Sequence, residues 1–126
     1  MRYLLLGLIL IASSAWGELK WAPSYDAALA QAKKEKKYVM VMLSREGCPA
    51  CEYMEDIVFE EKAVSLAIEK RFVPVHIDIH NDPLPDGLGY IGTPTFHFID
   101  AKEKKLGRHD GGANIPTFMG ILRNIK

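Results

Sequence analysis

The chain has 126 residues, 48% hydrophobic and 25% charged, with 16 basic and 16 acidic side chains and a formal charge of zero. Setting aside an N-terminal leader leaves about 110 residues, enough for one compact domain around one hydrophobic core and too few for two. Nothing in the balanced charge suggests a nucleic acid or a membrane surface as a partner.

The leader is read from Arg2, the apolar run Tyr3 to Ala12, and the small residues Ser13, Ser14, Ala15 and Gly17, the layout of a secretory signal peptide. The run is about ten residues, or about fourteen if stretched to Trp16, against the roughly 20 that span a bilayer. A cleavable signal over residues 1–17 is therefore expected rather than an uncleaved anchor, with cleavage after Ala15 or Gly17, and a domain over residues 18–126. The run does not end in a cysteine, so lipid attachment there has no acceptor. The tail Arg123-Asn124-Ile125-Lys126 is not an endoplasmic-reticulum retention signal. Loss of Arg2 leaves 15 basic against 16 acidic residues.

Ser24 can cap a helix from Tyr25 to about Lys36, with Ala28, Leu29 and Ala32 on one face. Lys33, Lys34, Lys36 and Lys37 then form its solvated end and complement its dipole. Tyr38 to Leu43 is a continuous apolar run of strand length, as for a strand covered on both faces. After Ser44-Arg45-Glu46-Gly47, a helix is predicted over about Ala50 to Val58, and a second through Ala63, Leu66, Ala67 and Ile68 to about Arg71. Phe72 to Ile79 alternates, with Val73, Val75, Ile77 and Ile79 on one face. A strand, helical crossover and second strand make a right-handed βαβ unit with parallel strands. Asn81 to Gly89 is a loop, Thr95 to Ile99 a strand, Asp100 to Lys104 a turn, and Leu106 to His109 a weaker strand. Gly111-Gly112 breaks the chain. Asn114 can cap a final helix with Pro116 in its first turn and Phe118, Ile121, Leu122 and Ile125 as its buried stripe.

Cys48-Pro49-Ala50-Cys51 holds the only two cysteines, at the strand-to-helix turn where α/β sheets gather their ligand sites. The pair can open and close one disulfide. A cysteine of pKa near 8.5 is only about 3% thiolate at pH 7. The helix dipole alone supplies roughly 0.3–1 kcal/mol, so hydrogen bonds from the second thiol and nearby amides must do the rest. Cys48, at the exposed start of the helix, is then the attacking residue and Cys51, one turn in, the resolving one. A tetrahedral thiolate zinc site would need further Cys or His ligands, and a structural bridge over two residues would gain little from loop closure.

With these elements in place the chain resembles the thioredoxin superfamily over about Trp21 to Lys126. Two separated motifs carry the resemblance: the apolar strand running into Cys48-Pro49-Ala50-Cys51, and Gly92-Thr93-Pro94-Thr95-Phe96, which matches the segment holding a cis-proline beside the dithiol. Trp21, the Ala- and Lys-rich helix and the Pro-Thr-Phe-x-Phe-x-Asp stretch are similar to exported relatives of the periplasmic C-terminal domain of the transmembrane disulfide reductase. The resemblance implies an α/β, thioredoxin-like fold, a central mixed sheet flanked by helices in a single domain. It also implies catalytic Cys48 and Cys51 around the spacer Pro49-Ala50, and substrate binding at Thr93 and Pro94, with the Thr93 backbone pairing with an extended substrate chain. Three positions depart from thioredoxin. Gly47 replaces the tryptophan before the first cysteine, and Met42 replaces the buried aspartate under the dithiol, leaving Glu52 and Glu55 as nearby carboxylates. Pro49-Ala50 is neither the Gly-Pro of reducing members nor the Pro-His of strongly oxidising ones.

His76, Asp78 and His80 share a strand face and, with Cys48 and Cys51, could form a copper or zinc site. This makes a metal-binding protein of the same fold the alternative; the simpler reading places these side chains at the sheet edge. His97 is expected to be packed or hydrogen-bonded, and Met54 and Phe59 to be core. Arg45 and Glu46 act on Cys48 in opposite senses. The expectation is an exported, periplasmic thiol-disulfide oxidoreductase working without cofactor or metal, favouring reduction. Its partners would be protein thiols or disulfides and a membrane or soluble redox protein that resets the dithiol.

Overall fold

The computed structural model describes residues 19–126, so the signal expected over residues 1–17 lies outside the described residues. Among the described residues no helix is long and apolar enough to cross a membrane. Ser24 opens α1 (Tyr25–Glu35), its Oγ accepting the Ala27 N–H at 3.0 Å. This satisfies one of the free donors of the first turn. Lys36 closes the helix in the left-handed region, at φ 56°, with its N–H returned to the Ala32 carbonyl. The helix thus ends one residue before the predicted limit.

The strand β1 (Tyr38–Ser44) is buried except at Tyr38. It leads into α2 (Pro49–Tyr53), a π-helical turn (Met54–Val58) and α3 (Lys62–Arg71), then returns as β2 (Phe72–Asp78). The helix expected to run unbroken from Ala50 to Val58 widens after Tyr53. There the Phe59 N–H reaches the Met54 carbonyl, five residues back, at 2.8 Å. The wider turn lets Phe59 join Met54 and Val58 on the buried side. Then follow β3 (Thr95–Ile99), β4 (Lys105–Asp110) and α4 (Ile115–Asn124), capped by Asn114 with its side-chain oxygen on the Thr117 N–H.

The sheet order is β2-β1-β3-β4. β1 and β2 are parallel, joined by the helical crossover, whereas β3 runs antiparallel to β1 and β4 antiparallel to β3. This is the mixed sheet with helices on both faces. Alternation along each strand divides the core in two. Val39, Val41, Leu43, Val73, Val75 and Ile77 face α1 through Ala28 and Ala32. Met40, Met42, Phe72, Phe96 and Phe98 face the dithiol, α3 and α4.

Aromatic rings fill the second layer. Phe118 of α4 lies 5.2 Å from Phe96 and 5.5 Å from Phe59, and Trp21 meets Phe59 edge-on at 5.7 Å. Arg71, at the end of α3, donates to the carbonyls of Leu122 and Ile125 and so ties down the end of α4, with its guanidinium over the Phe72 ring. That placement suits the negative end of the helix dipole.

Phe118 is fully buried and Leu66 is exposed. Phe118→Ala should lower the unfolding free energy by about 3–5 kcal/mol, read from urea titration, while Leu66→Ala should change it by less than about 0.5 kcal/mol.

Candidate functional site

Cys48 and Cys51 form a disulfide across the first turn of α2, with Cα atoms 5.2 Å apart. Cys48 is the N-cap. Its Sγ accepts the Cys51 N–H at 3.2 Å, so sulfur takes the place of the usual capping oxygen. Pro49 fits the first helical position because it lacks an N–H that would otherwise need an acceptor.

The dithiol meets the second motif across the end of the sheet. Leu43 pairs with Thr95, so the chain leaving β1 passes beside the chain entering β3. The Thr93–Pro94 peptide bond there is cis. The Thr93 hydroxyl donates to Cys48 Sγ at 3.3 Å, and the Thr93 carbonyl oxygen lies 3.5 Å from the same sulfur. Sequence reasoning assigned Thr93 a backbone role only. A hydroxyl at the residue before the proline was the visible sign of a side-chain donor, but its aim at sulfur depends on the β1–β3 register.

Cys48 is 2% exposed and Cys51 3%, so Cys48 is not the exposed residue its place at the helix start suggested. The capping conformation turns its side chain inward, against Thr93. Gly47, in the left-handed region at φ 68°, leaves open space beside it, while Gly112 packs against Ala50, where an added Cβ would sit 3.7 Å from the Ala50 methyl. Arg45 folds back over this turn and donates to the carbonyls of Glu46 and Gly47 at 3.2 and 3.1 Å.

Below the dithiol Met42 is fully buried in the same apolar cluster as both cysteines. Of the two carboxylates considered in its place, Glu52 is exposed, and Glu55 Oε1 lies 3.0 Å from His76 Nε2. His76 also hydrogen-bonds the buried Ser44 hydroxyl and stacks edge-on against Trp21. Of the histidine face considered for metal, His76 is thus engaged by Ser44 and Glu55, and His80 lies in the turn beyond the end of β2 rather than on the strand. The Asp78 carboxylate accepts the N–H groups of His80 and Asn81; the His80 bond, first, holds it below the usual carboxylate range. Among the described residues no group of three or more His, Cys, Asp or Glu is gathered for a metal ion. A cleft of about 580 Å³ between the start of α1 and residues 82–86 is lined by none of the dithiol residues.

His97 anchors the loop leading to Thr93, with Nε2 donating to the Gly89 carbonyl at 2.7 Å. Burial, above all, holds its imidazole below the ordinary histidine range; Arg108 and Lys105 push the same way, against the Gly89 bond.

The sequence model of the thioredoxin-like family matches residues 20–101. Anterior gradient protein 3 of Xenopus tropicalis is 28% identical over 92 residues, 70% of this chain and 54% of that protein, so the chain spans about half the length of this curated relative. A thioredoxin from Thermus thermophilus is 32% identical and superposes with a TM-score of 0.70 over 85% of this chain and 86% of its own. The oxidised C-terminal domain of DsbD from Neisseria meningitidis shares the fold, at 22% identity and a TM-score of 0.65 over 79% and 91% of the two chains.

Removing the hydroxyl that points at Cys48 should weaken its thiolate. Reduced Thr93→Val protein should be alkylated at Cys48 several-fold more slowly at pH 7 than wild type, with the site mapped by mass spectrometry. A pH effect follows from His97. Above about pH 6.5 the imidazole is neutral in both folded and unfolded chains; below it the unfolded chain takes up the proton that the buried ring resists. The Tm should thus fall between pH 7 and 5, and part of that fall should vanish in His97→Gln, as followed by thermal melts.

Proposed function

The chain belongs to the thioredoxin-like family, and on that premise we propose that it is an exported thiol-disulfide oxidoreductase acting on protein cysteines, with reduction as its favoured direction. Cys48 is the nucleophile, Cys51 the resolving thiol, Pro49-Ala50 the spacer, and Thr93 and Pro94 the surface on which the partner chain lies. The observation that carries the reading is the double donation to Cys48 Sγ, from the Cys51 N–H at 3.2 Å and the Thr93 hydroxyl at 3.3 Å. Both donors favour a sulfur bearing negative charge.

In the reducing direction the Cys48 thiolate attacks one sulfur of the partner disulfide. One S–S bond forms between the chains, the old one breaks, and the departing partner sulfur leaves as a thiolate that takes a proton. Cys51 then gives up its proton and attacks Cys48 Sγ, which closes the 48–51 disulfide and releases the second partner thiol. Two electrons pass from the dithiol to the partner. The same donors that stabilise the thiolate also stabilise the reduced protein, which makes the couple a weaker reductant. Sustained reduction therefore calls for a second redox protein, in the membrane or soluble, that recharges the dithiol. Export and a periplasmic site rest on the apolar segment that opens the sequence, Tyr3 to Ala12 behind Arg2.

Cys51→Ser protein, reduced and exposed to an envelope extract, should accumulate partners linked to Cys48 that dithiothreitol releases. The wild type should speed insulin reduction at catalytic amounts. The absence of both trapped partners and insulin reduction would overturn the proposal.

A further inference from the structure

Ile91 is 91% exposed, far beyond the other large apolar side chains among the described residues, of which the next is Leu66 at 58%. It stands two residues before Thr93, whose hydroxyl touches the reactive sulfur. A lone exposed isoleucine calls for no explanation by itself. This one differs in how it is held. On one side the Gly89 carbonyl accepts from His97 at 2.7 Å; on the other the Gly92 carbonyl accepts from the Thr95 hydroxyl at 2.8 Å. Leu88 is buried in the α1-side core and anchors the same loop. The backbone is thus pinned on both sides of a side chain that packs against almost nothing, and Tyr90, half-exposed beside it, extends the apolar surface.

Two further features fit an added chain at this spot. A Cβ built on Gly92 would meet nothing within 4 Å, so on that side another backbone can approach closely. The N–H groups of Ile91, Gly92 and Thr93 find no acceptor among the described residues, which leaves this stretch able to hydrogen-bond an added chain.

We infer that Ile91 is a specificity-determining residue, an apolar anchor for an aliphatic or aromatic side chain next to the reacting cysteine of the partner polypeptide. The inference rests on the proposed oxidoreductase reading and deepens it. The occupant is an extended polypeptide segment, because the anchor stands two residues along the chain from Thr93 and the backbone between them, without a partner among the described residues, matches a peptide chain. Because the anchor is fixed before binding, little conformational entropy is lost on contact.

The test uses the reduced wild-type protein in single turnover with two short peptides, each carrying thionitrobenzoate disulfide-linked to its one cysteine. One has Val and Leu flanking the cysteine, the other Ser and Lys. Attack by Cys48 on the peptide sulfur expels thionitrobenzoate, which is read by absorbance. Closure of the 48–51 disulfide then frees the peptide thiol, so the protein's own dithiol supplies both electrons. Ile91→Ser should slow the Val/Leu peptide about tenfold and leave the Ser/Lys peptide within about twofold, with an unchanged Tm, and Ile91→Leu should restore the wild-type rate. Equal slowing of both peptides, or of neither, would overturn the role of Ile91 while leaving the oxidoreductase reading intact. A wild type that releases thionitrobenzoate from neither peptide faster than glutathione does would overturn both.

Discussion

The site depends on the antiparallel pairing of β1 with β3. Leu43 lies opposite Thr95, so the segment leaving β1 and the segment entering β3 emerge side by side at one edge of the sheet. Cys48 and Thr93, 45 residues apart in sequence, come into contact for that reason. The parallel β1–β2 pair could not make this contact by itself, since β2 leaves the same edge instead of entering there. The apolar layer of Met40, Met42, Phe96 and Phe98, covered by the helices, holds the two strands in register, because a slip of one residue would turn that layer toward the opposite face.

The same layer sets the chemistry of the dithiol. With Met42 in the same buried cluster and both cysteines almost wholly buried, no carboxylate or ammonium group among the described residues lies in the core to answer the thiolate. The stabilising groups are instead dipoles and hydrogen-bond donors, namely the start of α2, the Cys51 N–H and the Thr93 hydroxyl. In a low-dielectric setting such donors weigh more than they do in water. The Glu55 carboxylate, partly exposed one turn beyond Cys51, is engaged by His76, which in turn holds Ser44 at the end of β1. This polar cluster braces the strand end from which the active turn departs.

Rigidity on the other side comes from small polar tethers. His97, inside the sheet, reaches out to Gly89, and Thr95 reaches back to Gly92. The loop between β2 and β3 has no regular structure, yet its last residues are tethered to β3 by these two bonds. A long connection can therefore present Ile91 to solvent while Thr93 stays on the sulfur.

Much of this was legible in the chain. The continuous apolar run from Tyr38 and the helical stripe of Phe118 and Leu122 are local periodicities, and local periodicity reports which face is buried. The Ser24 and Asn114 caps are read the same way, because a cap bonds within its own turn. The two motifs and their order pointed to the family, and the pair of cysteines to disulfide exchange. The π-helical widening at Met54 was not legible, since it answers the packing of Phe59 against Trp21, Phe96 and Phe118. Nor was the burial of Cys48, the aim of the Thr93 hydroxyl, the capture of His76 by Ser44 and Glu55, or the isolation of Ile91. Each of these is a relation between residues on different elements, decided only when the strands take their register. The sequence by itself determined the elements and the reactive pair, because those follow from neighbours within a few residues. Only the tertiary structure decided what surrounds the sulfur, because those contacts exist only once distant segments are brought to one sheet edge.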